Sequence, residues 1–289
     1  MTMHQVVFIT GAAMGIGAAT AKLLHARGAK LALFDLNAQA LQRTAAEIGA
    51  DCLCLSGDVG RLADLEQAMA RTQQHFGRID AVFANAGIAR INPIVSMDEA
   101  EWARVIDVNL SGVWRTLKAA TPHLLASRGY VLVTSSAAAS VCLPLGAHYS
   151  ASKAGVLNLA EAYRTEMRGF GIEVGTLHPM FVRTAMVNDQ VWGTAQGRRL
   201  AAQSKLLFMD FPLSWVARRA VRMIERRRRR ATVPAVHLPL LWFPRAANAL
   251  ANLMAFRPAG MKAVMQDVAG EAVQAGPAAD IARAATAKG

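Results

Sequence analysis

Apolar and polar positions follow two rhythms along the chain. Short, near-continuous apolar runs, such as Val6-Val7-Phe8-Ile9, Ala81-Val82-Phe83 and Val131-Leu132-Val133, are separated by longer stretches of helical spacing. The spacing predicts strands at 6–10, 30–35, 52–56, 80–84, 130–135 and 172–178. It predicts helices at 15–27, 38–48, 61–76, 98–126 and 149–169. Strands joined by helices of about ten residues or more need crossover connections, which are right-handed in nearly all parallel sheets. Runs that are apolar at successive positions suit strands covered on both faces. The expected fold class is therefore α/β, a single doubly wound parallel sheet with helices on both faces. It should occupy residues 1–235, followed by an apolar C-terminal extension and an Ala/Gly-rich tail over 236–289.

Candidate chemistry collects where the predicted strands end. Thr10-Gly11-Ala12-Ala13-Met14-Gly15-Ile16-Gly17 follows the first strand and opens the first helix. Glycines there let the backbone approach a pyrophosphate, and a helix N-terminus offers free N–H groups and a favourable dipole. The glycine spacing is GxxxGxG rather than the more familiar GxGxxG. Asp35 closes the second strand, where a carboxylate can accept hydrogen bonds from both ribose hydroxyls of an adenosine and would repel a 2′-phosphate. Further along, Tyr149-Ser150-Ala151-Ser152-Lys153 sets a phenol and an ammonium four positions apart. On a helix that puts both on one face, about 5–6 Å apart at Cβ. A lysine cation favours the phenolate, so the pair suits proton transfer at a substrate oxygen near neutral pH. Gly11, Asp35, Asn85, Ser136 and Pro179 all fall at the carboxyl ends of strands, where open α/β sheets bind ligands.

These motifs, in this order, resemble the classical short-chain dehydrogenase/reductase family over roughly residues 5 to 235, with its Rossmann-type fold. The resemblance implies that Thr10, Gly11, Met14, Gly15, Ile16 and Gly17 form the cofactor turn. It implies that Asp35 and Leu36 meet the adenosine ribose, and Asp58 and Val59 the adenine ring. Asn85-Ala86-Gly87 match the segment that stabilises the central sheet beside the cofactor, and Asn109 matches the asparagine of a catalytic tetrad. Ser136 stands thirteen residues before Tyr149, the family's spacing, which Ser135 fits less well. Tyr149 and Lys153 complete the tetrad, Lys153 also holding the nicotinamide ribose, and Asn109 should hold a water linking Lys153 to solvent. Pro179, Val182 and Thr184 match the segment that meets the nicotinamide carboxamide, although Met180 replaces the usual glycine. Met14 and Leu36 bring no positive charge where NADP-dependent relatives often carry one, so NAD is the expected cofactor. The implied activity is hydride transfer between NAD and an apolar secondary alcohol or ketone. Two alternatives stay open: an NADPH-dependent 3-oxoacyl-thioester reductase, which Asp35 opposes, and a non-catalytic nucleotide-sensing protein, which usually lacks the tyrosine or lysine.

Composition changes this picture in a few respects. The chain of 289 residues carries a formal charge of +12, five of it in the run Arg226 to Arg230. That run reads as a solvated helix end before a strand, as a contact with an anionic membrane surface, or, least well, as a nucleic-acid contact; no aromatic interleaving or nucleic-acid module accompanies it. No nucleic-acid partner is expected. Cys52, Cys54 and Cys142 are expected to be free and mostly buried thiols, which suits a reducing cytoplasm. No signal peptide, spanning segment or metal-ligand cluster is expected. Met, Trp and Phe residues across 186–212 suggest a substrate lid, or side chains that simply pack on the sheet. Pro234, Pro239 and Pro244 break the apolar stretch 231–256. Its cluster around Leu238, Leu240, Trp242 and Phe243 suits a peripheral membrane contact, a dimer contact or a wall of the substrate mouth. Ala246, Ala247, Leu250, Leu253 and Met254 fit one helical face. Residues past Arg257-Pro258 are expected to be loosely ordered and catalytically silent. The helices 98–126 and 149–169, with Ala154, Leu157, Ala160, Glu161 and Arg164, are expected to pair chains into a homodimer or homotetramer.

Overall fold

The computed structural model describes residues 4–49, 52–182, 184, 187–203, 210–256, 258, 260–262 and 264–265. The strands are β1 (Val6–Thr10), β2 (Lys30–Asp35), β3 (Cys52–Ser56), β4 (Ala81–Ala84), β5 (Tyr130–Thr134), β6 (Glu173–Pro179) and β7 (Arg230–Val233). They form one seven-stranded parallel sheet in the order β3-β2-β1-β4-β5-β6-β7. The helices are α1 (Gly15–His25), α2 (Ala38–Ile48), α3 (Leu62–Phe76), α4 (Glu99–Ile106), α5 (Gly112–Ser127), α6 (Ala147–Met167), α7 (Ala195–Gln203), α8 (Leu213–Arg226) and α9 (Pro244–Met254). The strand order reverses between β1 and β4, and the crevice at that switch point is the place where such sheets take their ligands.

Successive strand residues point to opposite faces, and each face finds its own helical layer. Ile9, Leu33 and Phe83 pack with Leu24 of α1, Leu41 of α2 and Val221 of α8. Phe8, Phe34 and Val82 pack with Leu65 of α3, Leu117 of α5 and Val156 of α6. Local caps set the helix bounds. Asn37 accepts a hydrogen bond from Ala40 N (3.0 Å) at the start of α2, and α3 stops at Gly77 in a left-handed conformation. A smaller third cluster lies outside the two layers: Phe256, Ala251 and Val264 pack on Leu145 and on Leu200 of α7.

One expectation needs correction, and two regions with several open readings take definite form. The helix expected over 98–126 is two helices joined by a π turn at Asp107–Ser111, which contains Asn109. Its flanking residues keep helical backbone angles, so nothing in the local propensity marks a break between the two helices. The arginine run is the end of α8 and the start of β7, with Arg227 in a left-handed cap (φ 47°). Its charges are largely engaged inside the chain: Arg227 pairs with Glu173 (3.3 Å), Arg229 with Glu161 (3.2 Å), and Arg230 also with Glu161. The helical face expected in the C-terminal stretch is turned outward, because α9 buries Ala247 and Ala251 while Leu250, Leu253 and Met254 are exposed. Cys52 and Cys54 are free and half-buried against the same core layer, whereas Cys142 is exposed. Among the described residues no helix is long and apolar enough to cross a membrane.

Candidate active site

The turn after β1 is held open by three glycines. Gly11 has φ +65°, and a Cβ there would sit 2.8 Å from the Ala86 Cα. A Cβ on Gly17 would lie 2.1 Å from the Gly11 carbonyl oxygen, so the first turn of α1 can close on the strand end only with glycine there. No side chain caps α1 at Met14, which leaves its first N–H groups turned to the crevice. Asn85 fixes the turn to β4. Its Nδ2 donates to the carbonyls of Thr10 and Gly11 (both 3.2 Å), while the N–H groups of Asn85 and Ala86 donate to Thr10 Oγ1 (3.0 and 3.1 Å). Thr10 and Gly17 thus stand behind the wall of the crevice rather than in it.

Two adjoining cavities run along the strand ends and share Gly11, Asp35, Ala86, Gly87 and Ile88. The first, of 610 Å³, is bounded by Leu36, Gly57, Asp58, Val59 and Arg104. The second, of 470 Å³, is bounded by Met14, Gly15, Ile16, Tyr149, Lys153 and Thr184, with Pro179 and Val182 at its floor. The Asp35 carboxylate is oriented by two backbone donors, Ala13 N and Asn37 N (3.0 Å each), and keeps lone pairs free for further donors. Asp58 Oδ1 accepts from Gly60 N (2.7 Å), and its other oxygen faces Arg104 at 3.6 Å. Paired elongated cavities, a glycine turn that admits close backbone approach and an uncapped helix start fit an extended dinucleotide.

Past the Gly87 backbone lies the Ser-Tyr-Lys group. Ser136 Oγ donates to the Pro179 carbonyl (3.4 Å) and accepts from Ala138 N (3.1 Å), and its side chain is near enough to the Tyr149 hydroxyl to favour the phenolate. Lys153 Nζ lies 5.7 Å from the centre of the Tyr149 ring and donates to the Thr134 carbonyl (3.0 Å). Ser135, by contrast, donates to the Lys153 carbonyl (3.0 Å) and so ties β5 to α6. Burial raises the Tyr149 pKa above 10.0, partly opposed by the Ser136 hydrogen bond. Desolvation is thus the dominant influence on the phenol within the chain itself. The same desolvation lowers Lys153 to about 8. Asn109 is fully buried. Its Oδ1 accepts from Ile88 N (2.8 Å), and its Nδ2 donates to the Ile88 carbonyl (2.9 Å) and to Ser152 Oγ (3.2 Å). Both amide hydrogens are therefore engaged within the chain, while Oδ1 keeps one acceptor site. A Cβ on Gly87 would come within 3.1 Å of Asn109 Oδ1 and 3.5 Å of Lys153 Nζ, so glycine lets those two groups approach each other.

On the other side of Tyr149 opens a smaller cavity of 140 Å³. Val141, Leu143, Phe181, Val187, Val191 and Phe256 give it an apolar lining, with Ser136 at its inner end. Val187 and Val191 belong to the segment expected as a lid; Met186 and residues 206–209 lie outside the described residues. Met180, where glycine is usual, needs no left-handed backbone and donates to the Val233 carbonyl (3.0 Å). His148 and His178 line none of these cavities. His148 faces Glu101 (3.2 Å), and His178 faces Thr176 Oγ1 (2.9 Å) and the Ser136 carbonyl (3.4 Å). Burial lowers His178 to about 4, so it is neutral near pH 7. The pattern of the sequence did not point to Arg104, which reaches the first cavity from α4. Nor did it single out His237 and Phe256, which reach the third from the C-terminal segment. Among the described residues no three His, Cys, Asp or Glu side chains cluster as a metal site.

Comparison with known proteins agrees with this geometry. A family model described as short chain dehydrogenase matches residues 5–193. A (-)-trans-carveol dehydrogenase from Rhodococcus erythropolis is 37% identical over 205 residues, covering 64% of this chain and 74% of that protein. A D-threitol dehydrogenase from Mycolicibacterium smegmatis is 34% identical over 200 residues, covering 68% and 76%. Among solved structures, a short chain dehydrogenase/reductase from Burkholderia phymatum in complex with NAD superposes with a TM-score of 0.73 at 26% identity, covering 84% of this chain and 92% of that one.

Proposed function

The chain belongs to the short chain dehydrogenase family and is an oxidoreductase of that family, and we propose that it is an NAD-dependent dehydrogenase of apolar secondary alcohols, working equally as a reductase of the matching ketones. One observation carries this reading: Tyr149 borders both the 470 Å³ cavity and the 140 Å³ apolar one. A group in that position can serve a reaction between a molecule in one chamber and a molecule in the other. The nicotinamide ring, when bound, supplies the hydride acceptor or donor. The remaining work falls to this chain. In oxidation the Tyr149 phenolate takes the hydroxyl proton, and the electron pair left on oxygen forms the carbonyl as hydride leaves the carbon. Ser136, which lines the same apolar cavity as Tyr149, donates to the same substrate oxygen and steadies its changing charge. Bringing a phenol from 10 to near 7 takes about 4 kcal/mol of differential stabilisation. The Lys153 ammonium held against the ring provides part of it.

Asp35 supports NAD over NADP, since a 2′-phosphate would bring negative charge towards an oriented carboxylate. The apolar lining of the third cavity supports an apolar substrate. Free thiols support work in a reducing compartment such as the cytoplasm. The test is a panel of apolar secondary alcohols, sterols and aryl carbinols included, read as NAD⁺ reduction with the native protein and with Tyr149→Phe. Turnover by the native chain that Tyr149→Phe abolishes, with NAD binding kept, is the expected result. Unchanged turnover by Tyr149→Phe would refute the assignment.

A further inference from the structure

Helix α9 is amphipathic in the sense opposite to a helix that faces water. Its small residues, Ala247 and Ala251, point inward, and its large ones, Leu250, Leu253 and Met254, point outward. Just before it, Trp242 is 66% and Phe243 69% exposed, and Leu253 reaches 74%. Scattered apolar side chains on a surface need no explanation, but such a dense set within a dozen or so residues does. The stretch is anchored at both ends to the apolar cavity, since His237 and Phe256, which flank it in the chain, line that cavity.

The charge along this part of the chain has one sign. Residues 226–266 contain no aspartate or glutamate. Arg218, Arg219 and Arg222 of α8 line a cleft of 280 Å³ together with Thr232 to Ala235, which leads directly into the exposed segment, and Arg245 opens α9. Among the described residues none of these four arginines is in an ion pair. They differ in this from Arg227, Arg229 and Arg230, which are paired with Glu173 and Glu161.

We propose that this face, Trp242–Phe243 with the outer side of α9 and the four unpaired arginines beside it, docks the protein on an anionic phospholipid bilayer. The aromatic and aliphatic side chains enter the boundary between headgroups and acyl chains, and the arginines take lipid phosphates. A second copy of the chain is the poorer occupant. A two-fold contact would set this positive face against itself, with no acidic residue in 226–266 to answer it. Docking turns the mouth of the apolar cavity towards the lipid; that this delivers the substrate rests on the function proposed above, whereas the docking itself does not.

The experiment is co-sedimentation of the full chain with vesicles of equal parts phosphatidylcholine and phosphatidylglycerol, and with pure phosphatidylcholine vesicles, at low and high salt. Binding to the anionic vesicles at low salt, weakened about tenfold or more by high salt, is expected. Leu253→Ser and Trp242→Ser should each weaken it several-fold, and the triple change of Arg218, Arg219 and Arg222 to glutamine at least about tenfold. Circular dichroism melts should match the native chain, since these side chains are outside the core. Light scattering decides the rival: if Leu253→Ser splits an oligomer and leaves vesicle binding unchanged, the face joins copies and the proposal fails. Absence of binding to anionic vesicles at low salt also overturns it. Because the readout is sedimentation, it stands even if no alcohol in the panel is oxidised, and such a result would count against the proposed function alone.

Discussion

At the scale of single residues, Tyr149 is under two opposed influences. Burial holds its proton on, while the Ser136 side chain favours its release. A raised pKa makes the base form scarcer at neutral pH, so the efficiency of alcohol oxidation should rise as pH increases through the tyrosine ionisation. Ketone reduction should show the opposite trend. Lys153→Ala should move that limb to higher pH, because a cation that favours phenolate is gone, and should also weaken NAD binding; pH profiles of kcat/KM in both directions check this. Ser136→Ala should cost roughly 10²–10³ in rate, as loss of a donor to a developing oxyanion does. On the function proposed above, Asp35 governs the choice of cofactor. Two unit charges about 4 Å apart at an effective dielectric near 20 interact by about 4 kcal/mol, which partial solvation reduces to a preference on the order of tenfold to a few hundredfold. Asp35→Ala should shrink that preference, measured as the ratio of kcat/KM with NAD⁺ and NADP⁺.

At the scale of elements, Glu161 ties three of them together. It receives Arg164 from its own helix α6, Arg229 from the turn before β7 and Arg230 from β7 itself. Burial alone would raise its pKa, but hydrogen bonds from Arg164, Arg230 and Arg229 hold it down to about 2. A depressed carboxylate contributes stability that is fully present above its ordinary value of 4.5 and is lost as pH falls through about 2. Glu161→Gln should therefore lower unfolding stability by about 1–2 kcal/mol near neutral pH. The difference from the native chain should close between about pH 4.5 and 2 in denaturant titrations. These elements also show what a sequence conceals. The six strands up to Pro179 are bounded by clear apolar runs and were readable to within a residue or so. β7 is four residues long and begins with an arginine whose charge is neutralised by a partner 69 positions away. The positions of Gly11, Asp35, Asn85, Ser136 and Pro179 follow from strand ends, which local pattern encodes. Arg104, His237 and Phe256 reach their cavities through tertiary packing, which local pattern does not encode.

At the scale of the whole molecule, the exposed aromatic residues suggest how chains associate. Trp102 of α4 and Trp114 of α5 are close to half exposed, with Lys118 stacked over the latter at 5.3 Å. The contact expected from sequence needs one amendment. Ala160 is fully buried within its own chain, and Glu161 and Arg164 are paired there, so the α4–α5 face is the better candidate surface. We propose a homodimer or homotetramer through it. Light scattering at micromolar concentration should find at least a dimer in the native chain and a smaller species after Trp102→Ser and Trp114→Ser. The apolar cavity has a further consequence. Its proton-handling end, Ser136 and Tyr149, falls inside the span 5–193 that matches the family, whereas His237 and Phe256 lie beyond it. Val141, Leu143, Phe181, Val187 and Val191 of its wall also fall inside that span, so only the contribution of the C-terminal segment stands apart from it. Descent could revise that contribution alone, and on the function proposed above, grafting residues 235–256 from a related chain should shift which alcohols are accepted while Ser136 and Tyr149 are inherited intact.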